Sequence, residues 1–204
     1  MHLSLKHLIT DFKANRVVKK KNNIRAMVSA RRKSLTRAEI DQLSAQVMTQ
    51  LESLPEFKAA TSILVYYPLR NEVDTRPLLN RWYKEKRILL PVINGSHLDI
   101  RTYEGEDKMT IGQYNIMEPV TNLYNGPIDL VVIPGVAFDR KLNRLGRGRG
   151  YYDRFLNRRN RFVIGVCYDF QLIPEVPTLR HDHRVTKIIT PTEIVVSSAG
   201  SAQV

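Results

Sequence analysis

The run Asp129-Leu-Val-Val-Ile133, then Pro134-Gly135, then Arg144-Leu-Gly-Arg-Gly-Arg-Gly-Tyr-Tyr-Asp-Arg-Phe155 decides how the chain is read. The unbroken apolar stretch predicts a strand buried on both faces, the mark of a parallel sheet. Pro134-Gly135 stops it, and a helix is expected from about Gly150 to Arg159. Between them Gly146, Gly148 and Gly150 alternate with Arg147 and Arg149. Glycine has no Cβ to block positive φ or close approach, so successive N–H groups can turn toward an anion. Arginine adds a planar fork of donors suited to phosphate. Asp153 is placed to hold a divalent cation against that phosphate, since magnesium takes one or two carboxylates plus substrate oxygens. The loop reads as a polyphosphate site.

Working outward, Ile24, Met27 and Val28 have helical spacing, and Thr36 with Glu39 forms a capping-box pattern that starts a second helix. Ile40, Leu43, Val47 and Leu51 continue its apolar stripe to Leu54-Pro55. Strands are predicted at Ser62–Tyr67, Arg87–Pro91, His97–Tyr103, Arg161–Val166 and Lys187–Thr190, with a helix over Thr75–Lys86 that includes Trp82 as a packing residue. Residues 104–127 read as loop. Strand–helix–strand alternation with apolar strands implies an α/β fold with a mainly parallel sheet covered by helices. Ligands of such sheets bind beyond the carboxyl ends of strands, where the glycine loop falls.

The chain has 204 residues and 43% hydrophobic content, enough for one substantial core. Its organisation is read as a basic, flexible arm over 1–20, one α/β domain over 21–197 and a tail over 198–204. No apolar run approaches the roughly 20 residues of a membrane span. The N-terminus shows no clear charged-then-apolar leader, and Cys167 is the single cysteine, so a reduced, cytoplasmic setting is expected. The net charge of +12 is uneven. Residues 1–37 hold 11 Lys/Arg against one Asp, and residues 140–161 hold nine against Asp153. The remainder has 12 basic and 18 acidic residues. Two concentrated blocks suit one small polyanion if the fold brings them together, whereas a nucleic-acid coat spreads its charge along a face.

The block Ile133–Asp139 followed by Asn143–Asp153 closely resembles the signature of 5-formyltetrahydrofolate cyclo-ligases, also called methenyltetrahydrofolate synthetases. Lys21 with Arg25, Tyr66-Tyr67-Pro68 with Asn71–Thr75, and His181-Asp182 before Ile188–Thr190 match three further motifs, so the resemblance spans about Lys21 to Val195. It implies a three-layer α/β/α sandwich. It also implies ATP- and magnesium-dependent closure of 5-formyltetrahydrofolate to 5,10-methenyltetrahydrofolate, with release of ADP and phosphate. The partners implied are these two small molecules, with no nucleic acid or membrane and a monomeric chain. By the resemblance, ATP meets Lys21, Arg25 and the loop Arg144, Leu145, Gly146, Arg147, Gly148, Arg149, Gly150, Tyr151 and Tyr152. Folate meets Tyr67, Glu72 and the loop residues Arg147 through Tyr151. Arg147 and Tyr151 are the catalytic candidates, and Asp153 is the magnesium ligand. A second metal-site Asp is expected after the His-Asp pair, but Thr186 stands at the matching position. A shifted site using Asp182, or less readily Asp139, is the alternative.

Plainer readings stand beside these. Asp153 alternatively complements a helix dipole. Lys21, Arg25 and Arg149 alternatively are solvated charges, Glu72 a turn cap, and one of Tyr66 and Tyr67, like one of Tyr151 and Tyr152, core. His181, Asp182 and His183 lack a third close ligand, which favours a structural role, and Cys167 reads as a small core hydrophobe. The competing functions are a basic nucleic-acid-binding protein and an inactive relative of the cyclo-ligase fold.

Overall fold

A computed structural model describes residues 5–157, 162–180 and 182–197. The helix end read at Arg159, His181 and the tail over 198–204 lie outside the described residues. The elements run α1 (Leu5–Lys33), α2 (Arg37–Ser53), α3 (Pro55–Ala59), β1 (Ser62–Leu64), α4 (Arg76–Trp82), β2 (Arg87–Asn94) and β3 (His97–Thr102). A ribbon of β4 (Met109–Ile111) and β5 (Met117–Pro119) follows, then β6 (Leu130–Pro134) and a small hairpin of β7 (Ala137–Phe138) and β8 (Arg144–Leu145). The chain ends on α5 (Tyr151–Leu156), β9 (Phe162–Val166), β10 (Lys187–Ile189) and β11 (Ile194–Val196).

Seven strands form one sheet in the order β11-β10-β9-β6-β1-β2-β3. The inner five are parallel, and β3 and β11 close the edges antiparallel. From β1 the chain first steps outward to β2 and β3, then returns to place β6 on the other side of β1. That reversal opens a crevice beyond the carboxyl ends of β1 and β6.

The period of two along β6 assigns its residues to two faces. Leu130 and Val132 join Val47, Leu51, Phe57 and Leu79 from α2, α3 and α4 in one core. Val131 and Ile133 join Phe138, Leu142 and Leu156 on the other face, under α5 and the β7–β8 hairpin. The expected three layers are present. Cys167 lies fully buried in the second core, where burial pushes its thiol up. Trp82 stacks edge-on against Phe57, 5.4 Å between ring centroids.

Local signals hold at α2, where Thr36 caps the helix in a complete capping box with Glu39. The first helix begins earlier than expected. From Leu5 onward the segment read as a basic arm is part of α1. No glycine or proline precedes Pro55, and like-charge repulsion in a helix costs only a few tenths of a kcal/mol per pair. Residues 104–127 contain the β4–β5 ribbon, and α4 stops at Trp82, short of Lys86.

Phe138 packs its ring over the paired strands β6 and β9 because two glycines, Gly135 and Gly165, admit it. A Cβ on Gly165 would lie 2.3 Å from the Phe138 ring, and one on Gly135 would lie 2.4 Å from it. Gly165→Ala is expected to destabilise the fold by about 1–3 kcal/mol through overpacking. Urea denaturation reads this directly, and an unshifted midpoint would mean that the ring can re-seat without cost.

Candidate active site

The turn after β1 is fixed before any ligand arrives. Tyr66 donates its hydroxyl to the Val73 carbonyl at 2.8 Å, and Thr75 donates back to the Tyr66 carbonyl at 2.7 Å. Tyr168 reaches across to the Glu72 carbonyl at 2.8 Å. Asn71 takes a left-handed φ of 64°, which asparagine tolerates better than most residues. These bonds aim the Glu72 side chain, 4% exposed, into the crevice. Its Oε2 accepts from the Leu69 N–H at 3.0 Å, and its Oε1 accepts from Arg147 Nη2 at 2.7 Å and Nε at 3.2 Å.

The crevice is a cavity of about 460 Å³. Tyr67, Glu72, Arg144, Gly146 and Arg147 line it, as do Arg149, Gly150, Tyr151, Tyr152 and Asp153. Four predicted residues stand elsewhere. Leu145 packs its side chain with Val28, Val136 and Val176, and its carbonyl accepts from Val136 N–H. Gly148 and the α1 residues Lys21 and Arg25 are not among the lining residues, and Arg25 packs against the loop at Gly146 and Gly148. The opposite wall is apolar, built from Pro91, Ile93, Leu98 and Ile116, and it was not anticipated from sequence. Glu118 and Tyr114 also line the cavity unannounced. Burial pushes the Tyr66 and Tyr152 hydroxyls up, and Glu72 adds to the effect, so both rings stay neutral.

The glycine loop is gripped from both sides. Gly148 and Gly150 have φ of +102° and +68°, which explains their glycines. Arg25 donates Nε to the Gly146 carbonyl at 3.0 Å, and its guanidinium carbon would lie 3.4 Å from a Cβ on Gly148. Burial lowers the Arg25 pKa, against the pull of Asp182. One turn earlier, Lys21 pairs with Asp182 at 2.5 Å, both side chains largely buried. On the other flank Arg154 donates to the carbonyls of Ser96 (2.9 Å) and Arg149 (3.0 Å). Arg149 lies with its guanidinium 5.5 Å from the Tyr114 ring, across the cavity mouth.

Lys21, Arg25, Val28 and Arg32 form one stripe of α1, four, three and four residues apart, and it faces inward. Sequence reading passed over Arg32, which is 8% exposed. Its neighbours Arg31 and Lys33 are exposed, so only helical phase from Lys21 and Val28 marks it out.

Asp153 Oδ1 accepts from Arg144 Nη2 at 3.0 Å and from the His183 N–H at 3.4 Å. Its Oδ2 has no hydrogen bond among the described residues. That donor set fits a magnesium ion held by one carboxylate oxygen and completed by phosphate oxygens and water. Among the described residues no group of three His, Cys, Asp or Glu is gathered for a metal. Thr186 does not join Asp153 at the cavity. Its hydroxyl accepts from the Val163 N–H at 3.1 Å, near the start of β9 and away from the strands' carboxyl ends. Asp139 is fully buried and caps its own loop, accepting from the N–H groups of Lys141, Asn143 and Val176.

The profile of the 5-formyltetrahydrofolate cyclo-ligase family matches residues 17–191. The chain belongs to that family. A Schizosaccharomyces pombe protein named "Probable 5-formyltetrahydrofolate cyclo-ligase" is 32% identical over 198 residues, 86% of this chain and 97% of its own. The 5-formyltetrahydrofolate cyclo-ligase of Haemophilus influenzae is 32% identical over 174 residues, 80% of this chain and 93% of its own. The solved 5,10-methenyltetrahydrofolate synthetase of Aquifex aeolicus matches with a TM-score of 0.82 at 34% identity, covering 90% of this chain and 96% of that one. The matched family span includes the α1 stripe, the Glu72 turn and the glycine loop.

The Lys21–Asp182 pair is one of the anchors of α1 on this cyclo-ligase fold. Asp182→Ala leaves a buried ammonium without its carboxylate and is expected to cost about 3 kcal/mol, the scale for breaking one side of a buried pair. A denaturation midpoint equal to the parent's would show that the pair does not hold the helix.

Proposed function

We propose that the chain closes 5-formyltetrahydrofolate to 5,10-methenyltetrahydrofolate, using ATP and magnesium and releasing ADP and phosphate. One observation carries the reading: a buried carboxylate, Glu72, and the glycine–arginine loop face each other across a single cavity at the reversal of the sheet. A carboxylate on a rigid turn suits the N–H groups of a pterin ring. Tyr67 and the wall of Pro91, Ile93 and Leu98 suit its apolar faces. The loop suits a triphosphate.

An amide oxygen is a poor leaving group, so the formyl oxygen must be phosphorylated before a folate nitrogen can displace it. In this reading the formyl oxygen attacks the γ-phosphorus, ADP leaves, the neighbouring ring nitrogen attacks the activated carbon, and phosphate departs. Such transfer needs positioning and charge stabilisation more than a protein nucleophile. Gly146, Gly148 and Gly150 offer main-chain donors to the phosphates. Arg147, Arg149 and Arg144 bring positive charge beside them. Lys21 and Arg25 approach the loop from behind and keep donors beyond those bound to Asp182 and Gly146. Arg147 neutralises charge on the transferring group, and Tyr151 offers its hydroxyl at the cavity wall. Magnesium would neutralise phosphate oxygens when bound, and Asp153 Oδ2 is the atom to hold it.

The convergence of the two basic blocks supports this reading over a nucleic-acid one. The α1 block and the loop block meet at the Arg25–Gly146 bond, beside one cavity. Both substrates in this reading are small molecules, and the chain is taken as a monomer. Among the described residues no helix is long and apolar enough to cross a membrane, and we place the reaction in the cytoplasm.

Mixing the chain with 5-formyltetrahydrofolate, ATP and magnesium should generate the near-ultraviolet absorbance of a methenyl product. Silence at saturating substrate, with salt-dependent duplex binding instead, would favour the nucleic-acid reading. Arg147→Ala should cost about 2–4 kcal/mol of transition-state stabilisation, the loss seen when one such donor is removed. An unchanged kcat would leave that side chain out of the chemistry. Asp153→Ala should abolish magnesium-dependent turnover, and a parental magnesium titration in that variant would remove Asp153 from the metal site.

A further inference from the structure

Arg32 sits near the end of α1, and the chemistry above does not use it. It is 8% exposed. Nη2 donates to the Gly135 carbonyl at 2.7 Å, just beyond β6, and Nη1 stands 3.7 Å from Glu72 Oε1. Nε is buried and has no hydrogen-bond partner among the described residues. A guanidinium at that depth is costly, and an apolar side chain of similar length would fill the same space at less cost. A charge kept at that depth calls for a role of its own.

The same oxygen of Glu72 carries a second cation. Arg147 binds Oε1 twice, yet its side chain is 53% exposed and belongs to the glycine loop. One cation is therefore fixed in a helix and the other can leave with a loop. The proposed reaction requires it to leave. Arg147 has to turn to the transferring phosphate, and Glu72 has to accept from the pterin instead. At that moment a buried carboxylate would stand without a cation unless another were already in place.

We propose that Arg32 is a positioning residue for the cyclisation: it is the fixed counter-charge that keeps Glu72 aimed into the cavity after Arg147 moves to the phosphates. The inference rests on the reading of Glu72 as the folate acceptor. Arg32 never touches substrate. It acts through Glu72, and through the Gly135 carbonyl it also ties the end of β6 to the Glu72 turn. Arg147 is thereby an exchangeable partner, released when folate takes the carboxylate.

The test varies folate and ATP separately in steady-state assays of the full chain, Arg32→Lys and Arg32→Gln. The folate KM should rise about tenfold or more in Arg32→Gln, roughly the loss of one well-placed ionic contact, while the ATP KM moves less than about twofold. Arg32→Lys keeps the charge but cannot reach Gly135 and Glu72 with one fork, so it should show the same split to a smaller degree. In a Glu72→Gln background the effect of Arg32→Gln on folate should vanish, which a purely structural role would not produce. Calorimetric binding of 5-formyltetrahydrofolate without ATP reads the same shift independently of turnover. An unchanged folate KM in either folded variant overturns the proposal, as does a rise equally large in the Glu72→Gln background. Should Arg32→Gln not fold, Arg32→Lys alone decides. A parent chain that binds folate but never forms product would sink the proposed function instead, and the calorimetric comparison would still judge Arg32.

Discussion

A carboxylate placed at 4% exposure has to be compensated, and the partners Glu72 finds tie the molecule together. One is the Leu69 N–H of its own turn, one is Arg147 of the glycine loop, and one is Arg32 of α1. These three segments are far apart in sequence. Each would satisfy its own backbone groups without the others, but none would then be held at a fixed distance across the crevice. The buried charge thus does for the site what apolar packing does for the sheet. Tyr168 and Tyr66 serve the same end from below, since their hydroxyls bond the carbonyls of Glu72 and Val73 and so hold the turn that presents the carboxylate.

Helix α1 is the outer half of this arrangement. Without it the Gly146 carbonyl would lose its donor, Asp182 would lose Lys21, and the loop would have protein on one side only. A loop of alternating glycine and arginine has little conformational preference of its own. It acquires a shape because guanidinium groups from α1 and α5 fasten its carbonyls while Arg147 reaches across to Glu72. The donors a phosphate would need from such a loop are its main-chain N–H groups.

Much of the fold was legible because its signals are local. The central strands give themselves away by unbroken apolar runs such as Leu130–Ile133, and the Thr36–Glu39 box marks a helix start within four residues. The edge strand β11 (Ile194–Val196) and the β4–β5 ribbon escaped notice because three-residue strands carry too short a pattern. The glycine loop and Asp153 were read from the chemistry of their residues, and Glu72 only through the family resemblance. The apolar wall was not, because β2, β3 and the segment before β5 each supply only one or two of its residues. Most instructive is α1. The apolar spacing of Ile24, Met27 and Val28 marks the helix, but its inward stripe carries Lys21, Arg25 and Arg32 beside Val28 while Met27 is exposed, so an apolar face does not reveal which basic residues turn inward. Lys19, Lys20 and Lys21 look alike in sequence, yet only Lys21 is buried.

That inversion also bears on what the positive charge is for. A protein that coats a nucleic acid keeps its cations exposed, so that each can meet a separate backbone phosphate and release a counterion. Here Lys21, Arg32 and Arg144 are buried, and Arg25 is partly so. They bond to carboxylates and to main-chain carbonyls beside the cavity, at Gly135, Gly146 and Pro134. Charge held in this way cannot follow an extended polymer. It raises the potential within one crevice, where field lines are focused by low-dielectric walls. A compact anion that enters the cavity meets Arg144, Arg147 and Arg149 on its lining, within the field of the cations behind them, and the apolar wall opposite gives it a neutral partner to be brought against.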